Sequence, residues 1–123
     1  MSFGRIRKQP ARDYVEYMMA PHLEAAKRRL PSDLLIHRAH VVMLFERGIL
    51  KRDEAAEILK CLRSMERDGT AALRLEPGDD LYMATESHII REIGDIGGKM
   101  HIGRSRNDLS ATADRMVVRE RIN

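Results

Sequence analysis

Apolar residues recur at helical spacing along most of this chain, and the clearest stretch lies in its middle. Ala55, Ile58, Leu59, Leu62 and Met65 fall on one face, with Glu57, Lys60, Arg63 and Arg67 on the other. That alternation predicts an amphipathic helix capped by Asp53 and ended by Gly69. Before it, Ser32 or Asp33 is placed to cap a helix from about Leu34 to Arg47, closed by Gly48. Leu35, Ala39, Val42 and Met43 form one stripe there, and Val41, Leu44 and Phe45 widen it. The expectation is a helix buried on most of its circumference. Residues 11–30 are helix-prone, but Pro21 lacks an amide donor and should end or restart a helix.

Residues 70–78 read as a connector that carries Leu73 and Leu75 and ends at Pro77-Gly78. Asp79 or Asp80 then caps a helix from Leu81 to Ile93, stopped by Gly94. A last helix runs from Leu109 to Asn123 with Leu109, Thr112, Ala113, Met116 and Val117 on one side. It has no stop signal, so the sequence reads as a segment of something longer. The fold class expected is all-α.

Composition narrows the classes. Charged residues are 33% and aromatics 4%, with no Trp, a mixture suited to helices packed on helices. The 123 residues suffice for one domain with a modest core. The net charge of +3 is dispersed among both signs, which argues against a nucleic-acid module. Arg5, Arg7 and Lys8 make a basic N-terminal arm over residues 1–10, with no apolar stretch after it to suggest a targeting signal. No apolar run reaches membrane-spanning length. The lone Cys61 excludes an intrachain disulfide, fits a reducing compartment and reads as a small apolar helix residue.

The candidate chemistry collects between Gly97 and Asp108. Three glycines there give the backbone freedom to approach a ligand. His101, Arg104 and Arg106 are donors, and Ser105 and Asn107 bond in either sense. Asn107 or Asp108 can cap the following helix, whose free N–H groups favour an anion. An ordinary solvated turn has a similar composition. A phosphate-binding P-loop is excluded, because Ile93 and Met100 stand where that motif needs Gly and Ser or Thr. His37 and His40 share a helix face but have no further ligand nearby, so no metal or organic cofactor is called for.

With Leu109, Ala111 and Thr112 following, the run from Gly97 to Asp108 resembles the Gly-Gly-Lys-Leu-His-Thr-Ala/Gly-Arg-Ser-Arg-Asn-Asp segment of the argininosuccinate lyases. These belong to the fumarase/aspartase superfamily. Met100 and Ile102 are mild departures. Asp33, Ala39-His40 and Met43-Leu44 are similar to an earlier helix of that family, but Ile36-His37 fall on its Gly-Ser pair, whose Ser contacts substrate. Asp80 to Glu86 is similar to its Glu-Asp-Ile-His-Met-x-x-Glu stretch, with Tyr82 in place of a histidine. Asp80 and Glu86 also read simply as a helix cap and a surface carboxylate.

The resemblance implies a helical N-terminal domain over 11–106 and, over 107–123, the first part of a long central-bundle helix. It covers roughly residues 32–123, and the family's Trp-Gly-Gly-Arg-Phe start is reduced to Phe3-Gly4-Arg5. It assigns substrate binding to Ser105, Arg106 and Asn107, and adds His37, Asp80 and His101 as candidates. No catalytic residue is expected in this segment, because the family's base serine and its Thr-His pair lie downstream. The implied protein is a cytoplasmic homotetramer with shared active sites and a small dicarboxylate or amino-acid substrate. It needs no cofactor, nucleic acid or membrane. Its reaction is release of fumarate from an N-substituted aspartate, and the segment alone should be inactive. The alternatives are a superfamily lyase for another succinyl-amine, such as an aminopolycarboxylate, and a non-catalytic helical relative.

Overall fold

The computed structural model describes residues 10–73, 75 and 79–123. Residues 1–9 of the basic arm, with its Phe3-Gly4-Arg5 start, and the Pro77-Gly78 end of the connector lie outside the described residues. Within them the chain is all-α, with no strand. A short helix α1 (Arg12–Tyr14) runs into a π-helical segment (Val15–Met19) and then into α2 (Ala20–Glu46). Helix α3 (Arg52–Asp68) is followed by a 3-10 turn (Gly69–Ala72). Helix α4 (Leu81–Ile93) and a second 3-10 segment (Asp95–His101) lead to α5 (Arg106–Ile122).

One expectation is met in part in α2 and another fails. Pro21 does not end the helical run, but α2 restarts there. It sits in the first turn of α2, behind the π segment in which the Ala20 N–H bonds back to the Val15 carbonyl. The wider register precedes the residue that cannot donate, and the chain stays helical. Pro31 lies inside α2, so Ser32 and Asp33 are buried helical residues and not caps. Interior proline costs about 3 kcal/mol. Burial of Leu30, Leu34, Val41 and Leu44, at roughly 1.5–3 kcal/mol each, outweighs it.

The buried face of α2 also differs from the stripe expected. Leu30, Leu34, His37, Val41 and Leu44 are buried, while Leu35, Val42, Met43 and Phe45 are exposed. The helix is therefore covered on one face and not on most of its circumference. Leu35, Ala39 and Val42 instead line an open groove of about 670 Å³ with Ala56 and Leu59 of α3.

The other helices follow their patterns closely. Helix α3 buries Ala55, Ile58, Leu62 and Met65, with Leu59 half-buried and Cys61 buried as a free thiol. Its cap residue is Lys51, not Asp53, and the Glu54 carboxylate accepts from the Lys51 N–H at 3.0 Å. Helix α4 starts at the Asp80 cap, whose carboxylate accepts from the Met83 N–H at 2.9 Å, and ends before Gly94. Helix α5 buries Leu109 and Ala113, with Met116 and Val117 half-buried, whereas Thr112 is exposed. The core gathers Leu34 and Leu44 of α2, Ile58, Leu62 and Met65 of α3, Ile89 of α4 and Met100.

Candidate functional site

The glycine-rich stretch is ordered structure and not an open loop. Residues 95–101 wind as 3-10 turns against α4. A Cβ on Gly97 would lie 2.8 Å from the Ile89 side chain and 3.0 Å from the Ile89 and Ile90 backbone. Gly97 is therefore needed for close approach to α4, not to a ligand. Met100 is fully buried behind it, and Lys99 reaches the Glu54 carboxylate at the start of α3. That ion pair and the Lys51 amide hold the Glu54 carboxyl below the usual range. Gly103, at φ +71°, then turns the chain into α5.

Helix α5 is capped by Ser105, not by Asn107 or Asp108. The Ser105 hydroxyl accepts from the Asp108 N–H at 3.2 Å and donates to the Asp108 carboxylate at 2.9 Å. That carboxylate also accepts from the Ser105 N–H at 2.9 Å, which closes a capping box. These bonds hold the Asp108 carboxyl below its ordinary value. Arg106 occupies the first turn, its guanidinium 3.2 Å from the Asp80 carboxylate and 5.4 Å from the centre of the Tyr82 ring. Charge pairing and the ring face fix its direction while it stays half-exposed. Asn107 follows with its side chain exposed.

Arg104, one of the donors of this stretch, turns onto two imidazoles. Its Nη2 donates to His37 Nδ1 at 2.7 Å and to His101 Nδ1 at 3.3 Å. Burial first, then Arg104, pushes His37 down to about 3, and the same two causes lower His101. The Tyr82 ring lies beside both, with centroids 4.8 Å from His101 and 6.2 Å from His37. Its hydroxyl donates to Glu86 at 3.1 Å, and burial and Glu86 raise the phenol above its usual value. Glu86 is thus half-buried and engaged, more than a surface carboxylate. His40 Nε2 donates to the Ile102 carbonyl at 2.9 Å.

Five of the six candidate residues therefore converge. His37 comes from α2, Asp80 from the α4 cap, and His101, Ser105 and Arg106 from the junction. Asn107 is next to them in sequence, with its side chain exposed. Two participants escaped the sequence reading. One is Arg104 as partner of two imidazoles. The other is Arg29, which lies 3.3 Å from the buried Asp33 carboxylate on α2 and 3.1 Å from Asp114 on α5. The four-residue spacing of Arg29 and Asp33 is the signal that could have shown it. Among the described residues no cluster of three or more His, Cys, Asp or Glu is arranged to hold a metal ion. No described helix is long and apolar enough to cross a membrane.

No family model matches the chain. Individual relatives do. An argininosuccinate lyase of Methanocaldococcus jannaschii is 38% identical over 121 residues, 97% of this chain and 25% of the relative. One from Natronomonas pharaonis is 42% identical over 111 residues, 90% of this chain and 21% of the relative. Argininosuccinate lyase 1 of Shouchella clausii is 37% identical over 120 residues, 95% of this chain and 24% of the relative. By sequence, the chain belongs to the argininosuccinate lyase family. It spans about a quarter of the length of the curated relatives it matches. The similarity extends over nearly the whole chain, so the family relation rests on the scaffold helices as well as on the junction.

Proposed function

We propose that this chain forms part of a carbon–nitrogen lyase that releases fumarate from an N-substituted aspartate, argininosuccinate first among candidates. One observation carries the reading. The junction before α5 gathers a half-exposed guanidinium, Arg106, and a second one, Arg104, that forms no salt bridge among the described residues, with Asp108 and Asp33 acting on it only at longer range. A carboxylate ligand meets there a planar double donor held ready by Asp80 and Tyr82.

The chemistry requires such a grip. Removing the proton beside a carboxylate of the succinyl group leaves a carbanion whose charge spreads into that carboxylate. The electron pair then forms the carbon–carbon double bond, the carbon–nitrogen bond breaks, and the amine departs with a proton. Donors fixed in place stabilise that spreading charge more than the ground state. Arg106 and Asn107 would act on the carboxylate side, and Ser105 orients them through its cap. The proton-removing serine and a Thr-His pair would come from further regions of the protein. In this reading residues 11–106 form the N-terminal domain and residues 107–123 open the central bundle. The protein would be a cytoplasmic homotetramer with shared active sites. The exposed apolar strip of Leu35, Val42, Met43 and Phe45 on α2 supports burial against another surface.

His37 and Tyr82 favour a second reading within the same chemistry. A bulky neutral imidazole and a phenol, where the family has a serine and a histidine, reshape the site beside Arg104 and Arg106. An aminopolycarboxylate with a succinyl arm is the alternative substrate. The test follows fumarate by its ultraviolet absorbance as the protein is incubated with each compound. Fumarate from argininosuccinate supports the first reading, and fumarate from the aminopolycarboxylate alone supports the second. A folded tetramer that releases fumarate from neither would point to a non-catalytic relative.

A further inference from the structure

Arg104 leaves the chain beside the Ser105 cap and turns onto two imidazoles carried by different elements. Its Nη2 donates to Nδ1 of His37, at 2.7 Å, and to Nδ1 of His101, at 3.3 Å, and its Nε is 3.4 Å from the same His101 nitrogen. A guanidinium has donors only, so each facing nitrogen must be a bare acceptor. The single proton of each neutral ring is then on Nε2. The remaining nitrogen of Arg104, Nη1, is buried with no hydrogen-bond partner.

We propose that Arg104 is a positioning residue that fixes His37 and His101 as a pair of neutral Nε2–H donors, and that this pair, backed by a guanidinium with no salt bridge among the described residues, selects a ligand carboxylate. That the carboxylate belongs to a succinyl substrate rests on the function proposed above. The tautomer lock stands on the geometry alone. It gives the site directional donors that do not switch off near neutral pH. The groups facing the two rings are Arg104, His40, Glu86, Arg106 and the Tyr82 ring, and Asp33 lies one turn from His37 on α2. Burial and Arg104 both disfavour protonation of either ring.

The test is long-range proton–nitrogen NMR of the histidine rings in the ¹⁵N-labelled chain at several pH values from 5 to 8. Both rings should hold the Nε2–H form, and His37 should not titrate over that range. Added sodium succinate should shift Nε2 of His37 and His101 saturably, and neutral succinamide should not. Arg104→Gln should abolish the succinate response and let at least one ring mix tautomers, with exposed His22 unchanged as a control. Either ring cationic or in the Nδ1–H form at pH 7 would overturn the proposal. So would equal responses to succinate and succinamide, or an Arg104→Gln chain that behaves as the parent. The measurements on the unsubstituted chain decide the question even if the variant does not fold. Locked tautomers and a succinate response, with no fumarate release by the protein, would refute the proposed reaction and leave this inference standing.

Discussion

Two arginines reach the buried face of α2 one helical turn apart, and they meet opposite chemistry. Arg29 lies against Asp33 and reaches Asp114 on α5, so its charge is compensated and it ties two helices together. Arg104 lies against His37, a neutral ring, and makes no salt bridge among the described residues, its Nη1 being buried without a hydrogen-bond partner. The same guanidinium is a scaffold element in one place and a source of positive field in the other. What differs is the residue four positions along one helix. Asp33 neutralises, and His37 accepts a hydrogen bond and leaves the charge for something else.

The sharpest way to break this comparison is by pH, because the two α2 residues respond with opposite sign. Burial raises Asp33 to about 6, against the partial opposition of Arg29. Between the ordinary carboxyl value near 3.8 and about 6 the folded chain holds a proton that the unfolded chain has lost. The Asp33 contribution to stability is therefore present below pH 4 and lost as pH rises to about 6. His37 is lowered from 6.5 to about 3, so its contribution is present above pH 6.5 and lost as pH falls toward 3. Each slope is about 1.4 kcal/mol per pH unit, and over the shared window they nearly cancel. Asp33→Asn should unmask the acid sensitivity of His37, and His37→Gln should unmask loss of stability toward pH 6. Each variant should differ from the parent by about 3 kcal/mol across pH 4 to 6 in urea unfolding. Parallel profiles for parent and both variants would contradict the assignment.

Gly97→Ala should act on the Arg104 side alone. The new Cβ would push the 3-10 segment off Ile89 and Ile90, with a cost of about 1–3 kcal/mol by thermal unfolding. Because His101 and Arg104 follow that segment, their NMR signals should move while those of Arg29 and Asp33 remain. Ser105→Ala removes the cap of α5 and should cost about 1 kcal/mol. Asp114→Asn is the smallest test. Its carboxylate is 68% exposed, so the loss should stay below about 0.5 kcal/mol and Asp33 should remain the partner that matters to Arg29.

The parts of the fold legible in the sequence are those where burial and polarity separate cleanly. Helix α3 has one apolar and one charged face, and α4 has Asp80 and Gly94 at its ends, so both are read almost to the residue. Helix α2 is different because its buried face interleaves Ser32, Asp33 and His37 with Leu30, Leu34, Val41 and Leu44. Choosing a face by apolar residues alone selects Leu35, Val42 and Met43, which are exposed. Two of the polar residues that defeated the pattern, Asp33 and His37, are those that meet the two arginines. The helix start expected at Ser32 or Asp33 is likewise overridden by packing, with Pro31 inside α2. At the junction, the sequence located the donors but not the role of Gly97, since a glycine for helix contact and one for ligand contact look alike. The pairing of Arg104 with His37 joins residues far apart in the chain, which spacing cannot reveal.

The central claim is that the start of α5 grips a substrate carboxylate. The direct measurement is kcat/KM for fumarate release by the protein containing this chain, with Arg106→Ala compared against the parent. The account predicts a loss of roughly 10²–10³-fold with the fold intact. An Arg106→Ala protein that keeps the parent kcat/KM would contradict it.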